Sequence, residues 1–81
     1  MKIYDYHGKK NVSGDRIREA RLKRRLTQED LAAKLQIEGV IMERDSVSRM
    51  EIGTRFVTDY ELMVLSKVLG VSMQWLVGLE E

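Results

Sequence analysis

The segment from Leu26 to Gly53 carries the residues whose types and spacing say most about chemistry. It reads LTQEDLAAKLQIEGVIMERDSVSRMEIG and contains two short helical patterns, each with its own start signal, separated by a long turn. The second pattern carries arginines and small polar residues where a helix used only for packing would carry leucines and alanines. Such side chains bond to base edges and phosphates, so the pattern predicts a helix that enters a groove of DNA.

Composition restricts the chain to a small domain. With 81 residues, of which 43% are hydrophobic, it can bury one modest core. The absence of cysteine excludes disulfides and thiolate metal sites, and the only histidine, His7, has no ligand set near it. No apolar run reaches the roughly 18–20 residues of a membrane helix, and the N-terminus lacks a secretory signal. We therefore expect a cytoplasmic protein with no metal site and no membrane contact.

An enzyme is the class of protein that the residues favour least. The sequence has no histidine beside a nucleophile and no glycine-rich phosphate loop, and it has too little chain to enclose a substrate. Helix caps and surface pairs account for the acidic residues. We expect neither enzymatic activity nor a cofactor.

Charge is distributed unevenly along the chain. Residues 1–25 hold nine Lys/Arg and three Asp/Glu, a net charge of +6, whereas residues 26–55 carry −2 and residues 56–81 carry −3. This indicates one basic face and one acidic end, and such a face can bind nucleic acid although the whole chain is only +1. Charge alone does not distinguish this interpretation from a mixed solvated surface.

Apolar residues at helical spacing, without alternation of period two, predict an all-α chain of five helices. Residues 1–12 are expected to form an N-terminal arm, loosely held or extended against the domain at residues 13–79. The side chain of Ser13 or Asp15 would cap the first helix. The first predicted helix starts near Ser13–Asp15 and runs to about Arg25, and the second starts at Thr27. A connection at 36–42 leads to the third helix, over about 44–52. The fourth helix runs from Thr58 to Gly70, and the fifth starts at Ser72.

Start and stop signals support these boundaries. Thr27 with Asp30 is a variant of the capping box, and Thr58 with Glu61 is a complete one. Gly53 is a natural stop for the third helix. The expected core residues include Leu31, Ala32, Leu35, Val47, Met50, Leu62, Met63, Leu65 and Leu69, with Trp75 in the core or at a dimer contact.

Three longer motifs make the pattern more specific. They are IREARLKRRLTQEDLAAKL, SVSRMEIGTR and VTDYELMVLSKVLGVSMQWLVG, and together they cover about Gly14 to Gly78. In combination they resemble the Cro/C1-type helix-turn-helix regulators of bacteria and phages, also called the xenobiotic-response-element family. The resemblance implies an all-α, five-helix, lambda-repressor-like DNA-binding domain whose second and third helices read DNA.

The turn between these two helices departs from the common family pattern. Most members turn within a few residues, often through a glycine directly after the leucine, whereas here Gln36 takes that position and QIEGVIM lengthens the connection. The chain resembles a branch of the family with an extended turn and a VTDYEL segment after it. The longer turn bears on the angle at which the third helix meets DNA.

Carried over residue by residue, the resemblance places four side chains at the base-facing positions of the family: Arg44, Asp45, Ser46 and Arg49. Arginine can bond guanine through two hydrogen bonds, aspartate can accept one from cytosine, and serine adapts to several bases. The alternative is that the two arginines are ordinary solvated residues. For Asp45, base reading and a favourable charge at the helix start are equally open.

Other residues match positions beside the DNA backbone. Gln28 corresponds to a family residue whose side chain bonds a phosphate, and the N-terminus of its helix would favour an anion. The expected phosphate contacts are Gln28, Thr27, Ser48, Arg55 and Arg25. They would contribute affinity rather than sequence preference, and an ordinary solvated charged face is the alternative. The family also implies an ion pair between Arg21 and Glu51, which fixes the third helix without touching DNA.

We therefore predict a sequence-specific DNA-binding transcriptional regulator, a repressor, which docks its third helix in the major groove of double-stranded DNA as a homodimer. The candidate dimer surface comprises Val57, Tyr60, Trp75, Val77 and Leu79. The alternative is a protein-interaction module on the same scaffold, such as an antitoxin or a partner-binding regulatory subunit. Acidic residues near the long turn favour this alternative modestly: Glu38, Glu43 and Asp45.

Overall fold

The computed structural model describes residues 5–81, and these residues form five helices and no strand. The helices are α1 (Gly14–Lys23), α2 (Gln28–Ile37), α3 (Arg44–Ile52), α4 (Asp59–Leu69) and α5 (Met73–Leu76). The predicted all-α class and five-helix order are confirmed. The first four residues of the predicted arm, including Tyr4, lie outside the described residues.

Local start and stop signals define α2, α3 and α4. The hydroxyl of Thr27 accepts from the N–H of Asp30 at 3.0 Å, and the Asp30 carboxylate accepts from the N–H of Thr27 at 2.9 Å. Thr58 and Glu61 form the same reciprocal pair at the start of α4. Gly53 ends α3 with φ at 96°, a left-handed conformation that favours glycine. The predicted capping boxes and this stop are confirmed.

α1 starts within the predicted range, at Gly14, but its cap and its last residue differ from the prediction. The side chain of Ser13 makes no capping bond, and the Oδ1 atom of Asn11 instead accepts from the N–H of Gly14 at 2.8 Å. At the other end, α1 stops at Lys23 rather than about Arg25. Arg25 has φ at 58° because the chain reverses there to begin α2. The prediction that Ser13 or Asp15 caps α1 is therefore wrong, as is its predicted end.

The core lies where α3 packs against α1 and α2, and α4 also packs against both of those helices. Its buried members are Ile17, Ala20, Leu31, Ala32, Leu35, Val40, Met42, Val47, Met50, Leu65, Leu69 and Leu76. Leu62 and Trp75 are partly buried against this core. Met63 is 56% exposed, so its placement in the core was wrong: it lies on the outer face of α4, away from Leu65 and Leu69.

The long turn before α3 is anchored rather than loose. α2 continues through Ile37, two residues into the predicted connection. Val40 and Met42 then enter the core, with exposed fractions of 6% and 8%. Glu38 binds the Nζ atom of Lys67 on α4 at 2.7 Å. The inserted residues therefore fix the start of α3 against α2 and α4.

Residues 5–12 form a tight turn and then run along the end of α3. Tyr6 and Lys9 exchange two backbone hydrogen bonds, of 2.6 and 3.0 Å, across a turn that contains His7 and Gly8. The N–H of Lys10 then donates to the carbonyl of Gly53 at 2.8 Å. This segment is therefore attached to the domain through α3. None of the five helices in residues 5–81 has both the length and the apolar character needed to span a membrane.

Candidate nucleic-acid interface

One face of α3 is buried and the opposite face is open to solvent. Val47 and Met50 are fully buried because they lie on the side of α3 that packs against α1 and α2. Asp45 and Arg49 are exposed on the other side, and Arg44 is exposed in the first turn of the helix, next to Gln28. The remaining predicted base-facing residue, Ser46, and its neighbour Ser48 are half-buried. The exposed part of α3 thus presents two guanidinium groups and one carboxylate.

The carboxylate of Asp45 lies beside the guanidinium of Arg49. The Nε atom of Arg49 is 3.3 Å from Oδ2 of Asp45, one helical turn away, and both side chains are more than half exposed. An exposed pair of this kind contributes little stability and can open at low cost. Asp45 also lies in the first turn of α3, where a negative charge is favourable. The pair with Arg49 and the position in the first turn of α3 both account for a carboxylate on this otherwise cationic surface.

Gln28 connects the first turn of α2 to the first turn of α3. Its Nε2 atom donates to Oε1 of Glu51 at 3.1 Å, and its Oε1 atom accepts from NH1 of Arg44 at 3.4 Å. The second contact is long for a hydrogen bond, so it orients Arg44 weakly and leaves it free to turn. The structure therefore brings together one predicted phosphate contact and one predicted base contact.

Arg21 and Glu51 lie against each other beneath this surface. The Nε and NH2 atoms of Arg21 donate to the two carboxylate oxygens of Glu51 at 2.6 and 3.0 Å. The Arg21 and Glu51 side chains are 9% and 2% exposed. NH1 of Arg21 donates to the carbonyl of Leu26, directly before α2. One buried guanidinium therefore joins α1, the start of α2 and the end of α3.

The remaining predicted phosphate contacts have different surroundings. Thr27 is exposed, but its hydroxyl already caps α2. Arg25 is exposed directly before that cap, in the left-handed conformation that turns the chain toward α2. Ser48 is half-buried on α3. Of these three, only Arg25 carries a charge, and it is exposed near the start of α2.

Arg55 is held by Glu61 on α4. Its NH1 and NH2 atoms bind the two carboxylate oxygens of Glu61 at 3.0 Å each, and NH1 also donates to the carbonyl of Phe56 at 2.8 Å. The Arg55 side chain is 27% exposed. The guanidinium of Arg55 therefore joins the loop after α3 to α4. Part of its surface remains accessible to solvent.

The Arg55 pair also sets the charge state of Glu61. Burial raises the pKa of this carboxyl, but hydrogen bonds from Arg55 and from the Thr58 cap lower it by more, so the pKa lies below its ordinary value of 4.5. The hydrogen bond to Glu61 in turn raises the pKa of Arg55. The loop that follows α3 is therefore closed by a fully charged pair at neutral pH.

Two of these contacts were missed by the sequence interpretation. Glu61 was assigned only to the cap of α4, although a carboxylate has a second oxygen that can bind arginine. Asn11 was assigned only to the arm, because it lies three residues before the first residue of α1 and not at the adjacent position, Ser13, where capping side chains are expected. The partners of Asn11 lie 39 and 44 positions away, and Glu61 binds an arginine outside its own helix. Local spacing therefore predicts neither contact.

Histidine and acidic side chains are the metal ligands that this cysteine-free chain could supply. Between residues 5 and 81 there is no group of three or more His, Asp or Glu side chains arranged to hold a metal ion. The polar side chains that do converge are those between α2 and α3. This surface is thus built from hydrogen-bond donors and one ion pair.

Comparison with known families agrees with this arrangement. A family model described as helix-turn-helix, of the Cro/C1 type, matches residues 17–76, from the middle of α1 to the end of α5. No curated protein and no solved structure gives a significant match. The family is a DNA-binding family rather than an enzyme family. On the match over most of its length, which confirms the assignment from its motifs, the chain belongs to the Cro/C1-type helix-turn-helix family.

Proposed function

We propose that this protein is a sequence-specific transcriptional regulator that inserts α3 into the major groove of double-stranded DNA. The observation that carries the proposal is a pair of exposed arginines on α3, Arg44 in its first turn and Arg49 on its open face, while the opposite face of the helix is fixed in the core. Arginine is the side chain that most often reads guanine in the major groove. A rigid helix is needed because hydrogen bonds to base edges require accurate placement.

Arg44, Asp45, Ser46 and Arg49 would contact bases in this arrangement. Arg44 lies in the first turn of α3, the part of a recognition helix that approaches the bases most closely. Arg49 would leave Asp45 when DNA binds, and the freed carboxylate would accept a hydrogen bond from cytosine. An exposed ion pair costs little to open, so this exchange needs only modest compensation from the base contacts.

Phosphate contacts would come from the start of α2 and from the loop after α3. Gln28, Thr27 and Arg25 surround the first turn of α2, whose N–H groups favour an anion. Ser48 and Arg55 would approach the backbone from α3 and the following loop. These contacts would fix the register of the protein on DNA without reading its sequence.

The regulator would act in the cytoplasm as a homodimer and repress transcription by occupying its site. Two α3 helices on two half-sites double the number of contacts and set the spacing of the operator. The candidate dimer surface holds Tyr60 and Leu79, which are 57% and 78% exposed. Val57, Trp75 and Val77 are half-buried beside them.

A protein-interaction module is the second candidate. Phe56, Tyr60 and Met63 are each about half exposed, and they lie in or next to α4 rather than on the face of α3. Exposed apolar groups at one place are typical of partner surfaces. In this case the scaffold would serve an antitoxin or a regulatory subunit, and α3 would not need DNA.

The salt dependence of DNA binding separates the two candidates. Binding to random-sequence duplexes is measured by fluorescence anisotropy between 50 and 200 mM salt. The slope of the logarithm of the binding constant against the logarithm of the salt concentration should change by about −0.9 for each phosphate that the protein neutralises. Site selection on a random library then tests sequence preference and symmetry. A steep negative slope with an enriched palindrome supports the regulator. Flat, negligible binding at low salt contradicts it and favours the protein partner.

A further inference from the structure

Asn11 makes three hydrogen bonds that join α1 to the far end of α3. Its Nδ2 atom donates to the carbonyl of Met50 at 3.0 Å and to the carbonyl of Arg55 at 2.7 Å. Its Oδ1 atom accepts from the N–H of Gly14, the first residue of α1. One side-chain amide therefore binds a carbonyl in the last turn of α3, a carbonyl in the following loop and the start of α1.

The backbone next to Asn11 adds to this attachment. The N–H of Lys10 donates to the carbonyl of Gly53, the residue that ends α3. A Cβ atom built on Gly53 would lie 2.8 Å from Cδ of Lys9, so the two segments are in close contact. Residues 9–11, which we call the clamp segment, thus follow the C-terminal end of α3.

The start of α1 approaches the same end of α3. A Cβ atom on Gly14 would overlap the carbonyl oxygen of Met50 and would lie 2.9 Å from that of Glu51. Only glycine therefore allows this contact between helices without a shift. Asn11 and Gly14 together determine how close α1 comes to the last turn of α3.

The first turn of α3 is held by the long turn before it and by Gln28, which also bonds Glu51 in the last turn. The long turn is anchored by Val40 and Met42, and Gln28 contacts Arg44 in the first turn. The matched family region begins at residue 17, so the clamp segment lies before it. The C-terminal end of α3 is therefore held both by the Arg21–Glu51 pair and by Asn11, which lies before the matched family region.

We propose that Asn11 is a positioning residue for sequence reading, which sets the tilt of α3 in the groove without touching DNA. The proposal rests on the proposed function of α3. A helix pivoting about its anchored first turn would move Arg49 more than Arg44, because Arg49 lies closer to the clamped end. Loss of the clamp should therefore weaken discrimination at the base pairs that Arg49 reads more than at those that Arg44 reads.

Two variants of Asn11 separate clamping from capping. Asn11→Asp keeps an oxygen that can accept from Gly14 but replaces the donor to Met50 and Arg55 with a carboxylate oxygen, which repels both carbonyls. Asn11→Ala removes all three bonds. Ser72→Ala is the matched control, because it removes the cap of α5, far from α3 in the chain, and should cost a comparable amount of stability. All variants are measured well below their unfolding temperatures.

Two readouts then decide the proposal. For Asn11→Asp, the ratio of affinities for the selected site and its single-base variants should fall about 3- to 10-fold, as expected for the loss of one or two hydrogen bonds. The amides of Gly53 and Thr54, which bond to Arg49, should exchange with solvent about 10-fold faster. Ser72→Ala should change neither quantity.

The outcomes are distinguishable from a failure of the proposed function. If Asn11→Asp and Ser72→Ala lose equal stability and keep the wild-type affinity ratios and exchange rates, Asn11 has only a structural role and the proposal is overturned. If the wild-type protein binds no DNA at low salt, the proposed function fails, and the reading role of Asn11 fails with it. Exchange at Gly53 and Thr54 would still show in that case whether the clamp holds α3.

Discussion

The guanidinium of Arg21 and the carboxylate of Glu51 form two hydrogen bonds, of 2.6 and 3.0 Å, between α1 and the last turn of α3. Both side chains are almost completely buried. Glu51 also accepts from Gln28, and Arg21 donates to the carbonyl of Leu26. The pair therefore fixes α3 relative to both α1 and the start of α2.

Removal of one partner should be costly because it leaves the other charge buried without compensation. Glu51→Ala is expected to lower the free energy of unfolding by about 3–5 kcal/mol. Urea denaturation followed by circular dichroism measures this change. The double variant Arg21→Met with Glu51→Leu is the control, since it removes both charges and should recover much of the loss. A cost below about 1 kcal/mol for Glu51→Ala would mean that the pair behaves like an exposed one.

Gly14 should tolerate no side chain. In Gly14→Ala the new methyl group would overlap the carbonyl oxygen of Met50, which belongs to backbone and cannot rotate away. We expect a loss of about 1–3 kcal/mol, as for other overpacked sites, although alanine favours a helix more than glycine does. Thermal unfolding checks this. Gly39→Ala is a useful comparison, because its Cβ would meet open space and its cost comes only from a φ of 92°. An increase in stability for Gly14→Ala would contradict the close approach.

Much of the fold was predictable because its signals are local. The capping boxes of α2 and α4 join residues three positions apart, and Gly53 ends α3 through its own backbone conformation. The core positions of α2 and α3 follow from helical spacing alone. The error at Met63 arose because hydrophobicity does not specify which face of α4 is covered.

The missed contacts of Asn11 join residues that are distant in the chain. Asn11 reaches Met50 and Arg55 across 39 and 44 positions, so no local pattern connects them. The length of the turn before α3 was visible, but its anchoring through Val40 and Met42 depended on where α4 lies. The direction of the exposed face of α3 was predictable, whereas the partners of its arginines depended on tertiary structure.

The pair formed by Glu61 and Arg55 should make stability depend on pH in the acidic range. Because the pKa of Glu61 is lowered in the folded state, its contribution is complete above 4.5 and is lost as the pH falls below that value toward the folded pKa. Glu61→Gln should cost about 1.5–3 kcal/mol at pH 7, as for loss of hydrogen bonds to a charged group. The difference from wild type should shrink as the pH falls below 4.5.

Urea denaturation at several pH values between 7 and 3 measures this difference. The pKa of Asp30 is also lowered, by its hydrogen bonds with Thr27, so the Glu61→Gln variant should keep part of the acid sensitivity. Asp30→Asn with Glu61→Gln should remove more of it. A constant gap between Glu61→Gln and wild type across this range would mean that Glu61 has no lowered pKa.

The carboxylate of Asp45 should have opposite effects on affinity and on specificity. Asp45→Asn removes a negative charge from a surface proposed to face phosphates, so binding to random DNA at low salt should strengthen about two- to fivefold. Discrimination of the selected site should fall, because the neutral amide accepts from cytosine more weakly than the carboxylate and its NH2 group can donate to other bases. Anisotropy titrations with both kinds of duplex measure these changes. Weaker binding to both kinds would show that Asp45 acts mainly by supporting Arg49 or the start of α3.

Arg44 and Arg49 should carry sequence preference rather than general affinity. Arg44→Ala and Arg49→Ala are each expected to remove about 1–3 kcal/mol of discrimination at a particular base pair, which competition with single-base variants of the selected site reveals. Lys34→Ala is the charge-matched control, because this exposed lysine lies beside Glu38 and Lys67, away from the proposed base-reading face of α3. Lys34→Ala should leave discrimination between base pairs unchanged, although it removes one positive charge, as each arginine variant does. If the arginine variants weaken all sequences to the same extent, both residues contact phosphate, and base reading must come from other side chains on α3.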